Sequence, residues 1–470
     1  MLRVGIDVGG TFTDLFAHDE ASGITISAKV LTTVHNQAVG VMESIAAGDI
    51  SLEGVEFLAH GTTTGTNALI ERRGSTTALI TTEGFRDVLE IMRTDRESGY
   101  DLGWEKPQPL VPRRLRFEVP ERVRPDGAVE TPLDEDAAVA LARSLPQAVE
   151  AVAVAFIHAY ANPAHEQRML EILRRERPEI AVSLSSDVNA EYREYERTST
   201  TVIDAYIKPV MVRYLGVLLD ALTRGGLGGR PLVMQGSGGM ATLDRASEKP
   251  IGTLSSGPAA GTIAAAAIGA AAGCMDIVTF DVGGTSTDVS LIHGGVPFLT
   301  AQKHVEWGVP ARVPMIDVES VGAGGGSIGW IDQGGALKMG PRSAGSTPGP
   351  ICYGRGGTEP TLSDALLIAG ILSGTLAGGR IGLDVDAARR GVEERLCGPL
   401  GLPLERVVAG MIEIAQENMA NAVRSVSIWK GLDLPSAARA AWWPARWPAR
   451  SGSPPCSSRS TLATPARWAS

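Results

Sequence analysis

The sequence predicts an α/β protein made of two related lobes, and three observations carry that reading. The motif Asp7-Val-Gly-Gly-Thr-Phe-Thr-Asp14 returns as Asp281-Val-Gly-Gly-Thr-Ser-Thr-Asp288, identical at seven of eight positions, and each copy lies between two hydrophobic strands. Between residues 134 and 185 helical and strand patterns alternate, the arrangement of α/β units. At 470 residues the chain is also too long for one ordinary domain.

Taken in order, residues 4–8 read as a buried strand that runs into Gly9 and Gly10 and returns over 13–17, a hairpin pattern. Short apolar strands follow at 57–59 and 78–81. Residues 134–145 have helical spacing, 151–157 form an apolar strand, 163–175 a helix with proline in its first turn, and 180–184 another strand. A long helical period runs from 197 to 222 apart from Pro209, and 258–272 is an Ala-rich segment whose small side chains let backbones pack closely. The second strand–glycine–strand unit begins at Ile277. Residues 322–357, rich in Gly, Pro and Ser, predict irregular backbone near a site. Helical patterns resume at 363–372, 385–396 and 404–428. The expected division is a first domain over 1–190, a second over 191–435, and an aberrant tail over 436–470. From Ser436 onward there is no Asp, Glu, Val or Ile, while half of the eight tryptophans fall there. Those residues have GC-rich codons, which predicts a frameshifted, disordered tail that cuts the second lobe short.

Several function classes are excluded on composition. A net charge of −10 without clustered Lys and Arg argues against nucleic-acid binding. The four cysteines are far apart with no C-x-x-C pair, so neither zinc nor a disulfide framework is expected and a reducing cytoplasm fits. The opening residues carry no signal-peptide pattern. The longest small-apolar run, 262–273, is shorter than the roughly 20 residues that span a bilayer, so no membrane insertion is expected.

The repeat suits phosphate chemistry. Gly9-Gly10 and Gly283-Gly284 stand at strand reversals, where the absent side chains let backbone N–H groups approach an anion and permit positive φ. Thr11, Thr13, Thr285 and Thr287 add hydroxyl donors. Asp7 and Asp281, at strand ends, are hard oxygen ligands suited to Mg²⁺ or its waters. One copy alone is ordinary turn chemistry; two copies with the same acidic and hydroxyl residues point to a pair of hairpins gripping a nucleotide's phosphates. The Gly-x-x-x-x-Gly-Lys-Ser/Thr pattern of a P-loop is absent.

Secondary motifs are less specific. His60-Gly-Thr-Thr-Thr-Gly-Thr-Asn67 reads equally as an active-site loop or as Thr-rich capping of a helix starting near Asn67. Gly322-Ala-Gly-Gly-Gly-Ser327 departs from a dinucleotide fingerprint by ending in Ser without a βαβ frame. Ser255-Ser-Gly-Pro258 opens the Ala-rich helix and offers free N–H groups or plain capping. Arg93, Arg96 and the charges from Tyr192 to Arg197 read as solvated or salt-bridged faces, and His158 and His165 as structural.

Together, residues 4–14, 59–69, 255–261, 280–288 and 320–327 resemble the hydantoinase A, 5-oxoprolinase and acetone carboxylase β-subunit family, over residues 2 to about 433. That resemblance implies two ribonuclease-H-like lobes of the actin, Hsp70 and sugar-kinase type around an ATP cleft, with α/β insertions. It implies ATP and Mg²⁺ as cofactors, with Asp7 and Asp281 holding the metal and, with His60, serving catalysis. Gly9, Gly10, Thr11, Thr13, Gly283, Gly284, Thr285 and Thr287 would orient the phosphates. Gly322, Gly324, Gly325 and Gly326 would face the nucleotide, and Thr62, Thr63, Thr64 and Asn67 the transferred phosphate or substrate. The implied reaction opens a cyclic amide, 5-oxoproline or a hydantoin, by phosphorylating its carbonyl oxygen. The chain would be the ATP-binding subunit of a cytoplasmic hetero-oligomer with a B-type subunit. Family members continue through a Gly-Gly-x-Gly-Pro segment on the adenosine side that this sequence lacks, which puts its own activity in doubt. Alternative readings are a sugar or small-molecule kinase, ketone activation of the acetone carboxylase type, or an Hsp70- or actin-like nucleotide-gated binding protein.

Overall fold

The computed structural model describes residues 1–9, 12–33, 36–97, 99–345, 347–376 and 381–432. Gly10, Thr11 and the expected tail over 436–470 lie outside the described residues. The chain divides into two compact units, Met1–Ala260 with Leu299–Met315, and Gly261–Phe298 with the residues from Ile316 on. The sequence reading divided the chain at 190/191 instead. The long helix that follows residue 190 packs on the sheets that precede it, which keeps it in the first unit.

The first unit opens with β1 (Leu2–Val8), β2 (Phe12–Asp19), β3 (Thr25–Leu31), α1 (Gln37–Ala47), β4 (Val55–Thr62) and α2 (Thr64–Ile70). Alternation sets the faces: Val4, Ile6 and Val8 are buried while Arg3 and Asp7 point outward. A second set comprises β5 (Thr77–Thr82), β6 (Arg116–Val119), α3 (Glu135–Ser144), β7 (Ala151–Ala155), α4 (Ala164–Glu176) and β8 (Ala181–Leu184). The helix α5 (Glu194–Arg224) and the strands β9 (Arg230–Met234) and β10 (Met240–Thr242) follow. One sheet has the order β10-β9-β4-β1-β2-β3 and the other β8-β7-β5-β6. Within the first, β1 pairs antiparallel with β2 and parallel with β4. All strand pairs of the second sheet are parallel, and β7 is buried at every residue, which explains its unbroken apolar run. The helix α5 spans 31 residues and contains Pro209 without interruption. It packs against β7 and β8, and its Met211, Leu215, Leu218 and Leu222 join Val4, Ile6 and Leu58 in one core.

The chain crosses between units within α6 (Ser256–Ala271). The second unit then builds β11 (Ile277–Val282), β12 (Thr287–His293), β13 (Val318–Val321), β14 (Ser327–Ile331), β15 (Leu337–Ser343), α7 (Leu362–Ile368), α8 (Val385–Val392) and α9 (Leu404–Val426). The strand β12 pairs antiparallel with β11 and with β13. On α9, Val408, Met411, Ala415, Met419, Ala422, Val423 and Val426 recur at helical spacing and bury one stripe, which lies on β12 and β13.

Several expectations are corrected. Residues 322–357 are not all irregular, because β14 and β15 form an antiparallel hairpin there. Ile328 and Met339 supply its apolar face, and Asp332 accepts from the N–H groups of Gly334 and Ala336 (3.0 and 2.9 Å) to close its turn. The density of Gly and Pro had hidden that alternation. The helix expected over 363–372 ends at Ile368, since Gly370 takes a left-handed φ of 71°. The helix expected to start near Asn67 starts at Thr64. After Val392 the helix expected to reach 396 widens into a π-turn, Glu393–Cys397. Cys274, Cys352 and Cys397 are unpaired, and among the described residues no helix is long and apolar enough to cross a membrane.

Candidate active site

In the first unit the strand ends do the positioning. The parallel register sets Asp7 beside Gly61 and Val8 beside Thr62. A Cβ on Gly61 would lie 2.5 Å from Asp7 Oδ1, so the carboxylate lies across a position that only glycine leaves open. The same oxygen is 3.8 Å from where a Cβ of Gly257 would stand, at the N-terminus of α6. Ser256 Oγ donates to Thr62 O at 3.0 Å and ties that helix end to β4. The ends of β1, β4 and α6 therefore meet around one exposed carboxylate.

The threonines after β4 are spent on holding the loop in shape. Thr62 Oγ1 donates to Thr64 Oγ1 (2.9 Å) and accepts from Thr64 N (3.1 Å). Thr63 Oγ1 donates to Val8 O (3.1 Å) and accepts from Asn67 Nδ2 (3.2 Å), while Thr64 Oγ1 donates to Gln37 Oε1. This network locks the loop to the end of β1, beside Asp7. His60 is placed differently. Adjacent strand residues face opposite ways, so His60 lies on the face of its partner Ile6, opposite that of Gly61 and Asp7. Its side chain is fully buried, and its Nε2 is 2.6 Å from the Tyr214 hydroxyl on α5. Burial pushes the imidazole down to about 4, so it is neutral at physiological pH, and burial likewise raises the Tyr214 phenol. Tyr214 left no trace in the sequence, being 154 residues from His60.

The two hairpins share one construction. Gly9 N donates to Phe12 O at 3.0 Å, and Gly283 N donates to Ser286 O at 2.8 Å. Asp7 pairs with Asp14 and Val8 with Thr13; Asp281 pairs with Asp288 and Val282 with Thr287. The expected positive φ is not found at Gly9, Gly283 or Gly284. Close approach is instead the physical reason for glycine at 324 and 326: the 322–326 loop lies on the corner of Gly283 and Gly284, with Gly325 N donating to Gly283 O (3.0 Å) and Gly326 N to Gly284 O (2.6 Å). A Cβ on Gly324 would sit 2.7 Å from Gly283 O and from Ser286 N. The structure thus brings two sequence-singled segments of the second unit together.

Thr13 and Thr287 both turn inward. Thr13 Oγ1 is 3.1 Å from Thr32 Oγ1, which donates to Gly9 O (3.0 Å), and Thr287 Oγ1 donates to Ala323 O. Their hydroxyls brace the corners. Asp281, Gly284 and Thr285 are exposed, and a Cβ on Gly284 would meet nothing within 4 Å. Gly322 backs onto Pro341, 3.1 Å from where its Cβ would stand to Pro341 Cα. Among the described residues no three His, Cys, Asp or Glu side chains form a metal cluster. Single carboxylates, Asp7 and Asp281, fit a Mg²⁺ that keeps its waters and takes phosphate oxygens; they do not fit an ion that needs an all-protein cage.

Comparison with known proteins decides the family. A model of the hydantoinase/oxoprolinase N-terminal region matches residues 3–177, and a hydantoinase/oxoprolinase model matches residues 197–441. The chain belongs to the hydantoinase/oxoprolinase family. It is 38% identical over 445 residues to caprolactamase subunit alpha of Pseudomonas jessenii, covering 92% of this chain and 63% of that subunit. It is 30% identical to 5-oxoprolinase 1 of Arabidopsis thaliana over 92% of this chain and 37% of that protein. Among solved structures, nucleotide-free acetone carboxylase superposes with a TM-score of 0.79 at 29% identity, over 92% of this chain and 64% of that one. The chain thus spans less than two thirds of the length of these relatives.

Proposed function

We propose that this chain is the nucleotide-handling part of a cytoplasmic enzyme that uses ATP to open a cyclic amide. The observation that carries the reading is the pair of hairpins with one register and one corner bond, each presenting an exposed aspartate at a strand end. The family membership and the ATP-dependent caprolactamase and 5-oxoprolinase relatives support it. Transfer of the γ-phosphoryl group from ATP to the amide oxygen releases ADP and gives an imidate-like phosphate; water adds to its carbon, the C–N bond breaks with the amine leaving, and a second water releases phosphate to give the carboxylate.

The chain's own residues supply position and charge. Asp7 and Asp281 would hold Mg²⁺ through its waters. The open side of Gly284 leaves room for a phosphate, the Thr285 hydroxyl stands free to donate, and the 322–326 loop stiffens that corner. The Thr62, Thr63, Thr64 and Asn67 network presents the substrate side next to Asp7. His60, neutral and buried, serves by holding β4 through Tyr214. A B-type subunit is the proposed partner. A second reading, ketone activation, is supported by the likeness to acetone carboxylase.

The test is ADP release by the chain with its B-type subunit, offered 5-oxoproline, hydantoin, caprolactam, acetone and sugars in turn. Stimulation by a lactam or hydantoin, abolished by Asp7→Asn, is expected. Stimulation by a sugar alone sinks the cyclic-amide reading.

A further inference from the structure

The first unit holds a cavity that the nucleotide corners do not use. It measures about 280 Å³ and opens between the end of α2, Leu110 and the hairpin of Lys303–Glu306 with Val309–Ala311. Leu69, Ile70, Leu110, Val305 and Val309 make its apolar wall, which continues inward to the core around Ile203 and Ile207. Small-molecule sites run from roughly 300 to 1,000 Å³, so this one suits a ligand at the small end. Its two charged groups form one ion pair. Arg72 Nη2 is 2.7 Å from Glu306 Oε2, and Arg72 Nη1 donates to Gln108 O at 2.7 Å. These are single bonds on groups that can make several, so guanidinium and carboxylate both keep capacity for a ligand.

The backbone is bent out of its ordinary course to build this hollow. Arg73 N donates to Ala68 O (2.8 Å) and Arg72 N to Leu69 O (3.2 Å), the two bonds with which a Schellman turn ends a helix. Arg72 therefore holds the position that glycine fills at least cost, with a left-handed φ of 52°. What arginine supplies there, and glycine cannot, is the side chain at the cavity. Opposite it, the hairpin register slips between His304 and Glu306, which leaves Val305 as the extra residue of a bulge and part of the wall. At the mouth, Ile70 is 66% exposed. A strained arginine, a bulge and an uncovered isoleucine thus converge on one place, and strain that persists at a hollow points to a ligand.

We propose that this cavity is an accessory binding site for a small uncharged molecule in which an N–H stands beside a C=O, namely a cyclic amide. The apolar wall takes the ring carbons, Arg72 donates to the carbonyl oxygen, and Glu306 accepts from the N–H. A net anion would meet Glu306 and a net cation Arg72, so the pair discriminates against both. The site is separate from the place of phosphoryl transfer. The helix α2 starts at Thr64, in the loop beside Asp7, and at 1.5 Å per residue Ile70 lies about 9 Å farther along it. The choice of a cyclic amide over other neutral amides rests on the substrate class proposed above.

The experiment titrates the full chain, without nucleotide, with caprolactam and with N-methylcaprolactam in a calorimeter. Saturable one-to-one binding of caprolactam is expected, with the N-methyl compound at least tenfold weaker because Glu306 then has no N–H to accept. Arg72→Gly should weaken caprolactam at least tenfold while its urea midpoint stays equal or rises, since glycine suits the left-handed position. Glu306→Ala, on an exposed side chain, should weaken it likewise. Absence of saturable binding overturns the proposal, as does equal affinity for the N-methyl compound or parental affinity in either variant. A lowered urea midpoint in Arg72→Gly also overturns it, by showing that the arginine serves the fold. The two readings fail separately. If lactams stimulate ADP release but Arg72→Gly binds caprolactam like the parent, the cavity is refuted and the enzyme reading stands. If Arg72→Gly abolishes caprolactam binding but no lactam stimulates ADP release, the cavity stands and the enzyme reading is refuted.

Discussion

Gly284 and Gly324 stand at the same corner and separate structural from functional use of glycine. In Gly324→Ala the new methyl would sit 2.7 Å from Gly283 O and Ser286 N and 2.8 Å from Gly284 C. These are backbone atoms, so no side chain can swing aside. Overpacking of this kind costs about 1–3 kcal/mol. Prising the loop away also weakens the bonds from Gly325 N and Gly326 N, each worth about 0.5–1.5 kcal/mol. The second unit should lose about 2–6 kcal/mol in sum. In Gly284→Ala the methyl meets nothing within 4 Å, and φ lies outside the left-handed range, so stability should stay within about 0.5 kcal/mol. If that space is where a phosphate approaches, the same methyl lowers affinity for a magnesium–ATP analogue at least about tenfold, or about 1.4 kcal/mol. Urea unfolding and calorimetric titration of both variants read the two quantities. Equal destabilisation by both substitutions, or Gly284→Ala binding nucleotide like the parent, would refute the account of the corner.

Burial holds His60 at about 4 against an ordinary value of 6.5, so below pH 6.5 the unfolded chain takes up the proton first. Stability is full above pH 6.5 and falls by about 3 kcal/mol as pH drops to 4; urea midpoints should show this slope and His60→Gln should flatten it. Arg197 is 1% exposed and donates to Ser185 Oγ (2.9 Å), which donates to Glu166 Oε1 (2.6 Å). Arg197→Met should cost about 3–5 kcal/mol in urea unfolding, and adding Glu166→Gln should recover part of the loss. Thr287→Val removes the hydroxyl that reaches Ala323 O and should cost about 1–3 kcal/mol, with faster amide exchange at Gly325 and Gly326.

The hairpins were legible because their chemistry is local: strand alternation, paired glycines and acidic strand ends all lie within eight residues. The inward turn of Thr13 was legible too, had parity been followed, since Thr13, Leu15 and Ala17 share the buried face of β2. Tyr214 was not, because its partner is set by the packing of a helix 154 residues away. Glu196 and Arg197 read as solvated or salt-bridged, and Glu196 is indeed paired, buried and accepting from Arg93 Nε (3.0 Å), while Arg197 is buried and donates to Ser185 Oγ (2.9 Å). Their neighbours on α5 reach the hairpin of Lys303–Glu306 and Val309–Ala311, where Tyr195 donates to Gly308 O and Ser199 Oγ to Pro310 O (2.9 Å). Polar residues whose partners lie about a hundred positions away, as those of Tyr195, Glu196 and Ser199 do, carry no periodic signal. The loading of the 322–326 loop on the second corner was hidden for the same reason, since glycine reports neither face nor partner.

Amide exchange at the two corners, followed as a magnesium–ATP analogue is added, tests the central claim most directly. The account predicts that residues 8–13 and 282–287 become protected together, with one half-saturating concentration, and that Asp7→Asn or Asp281→Asn shifts both curves. Protection of one corner alone, or two unrelated concentration dependences, would contradict a single nucleotide held by both hairpins.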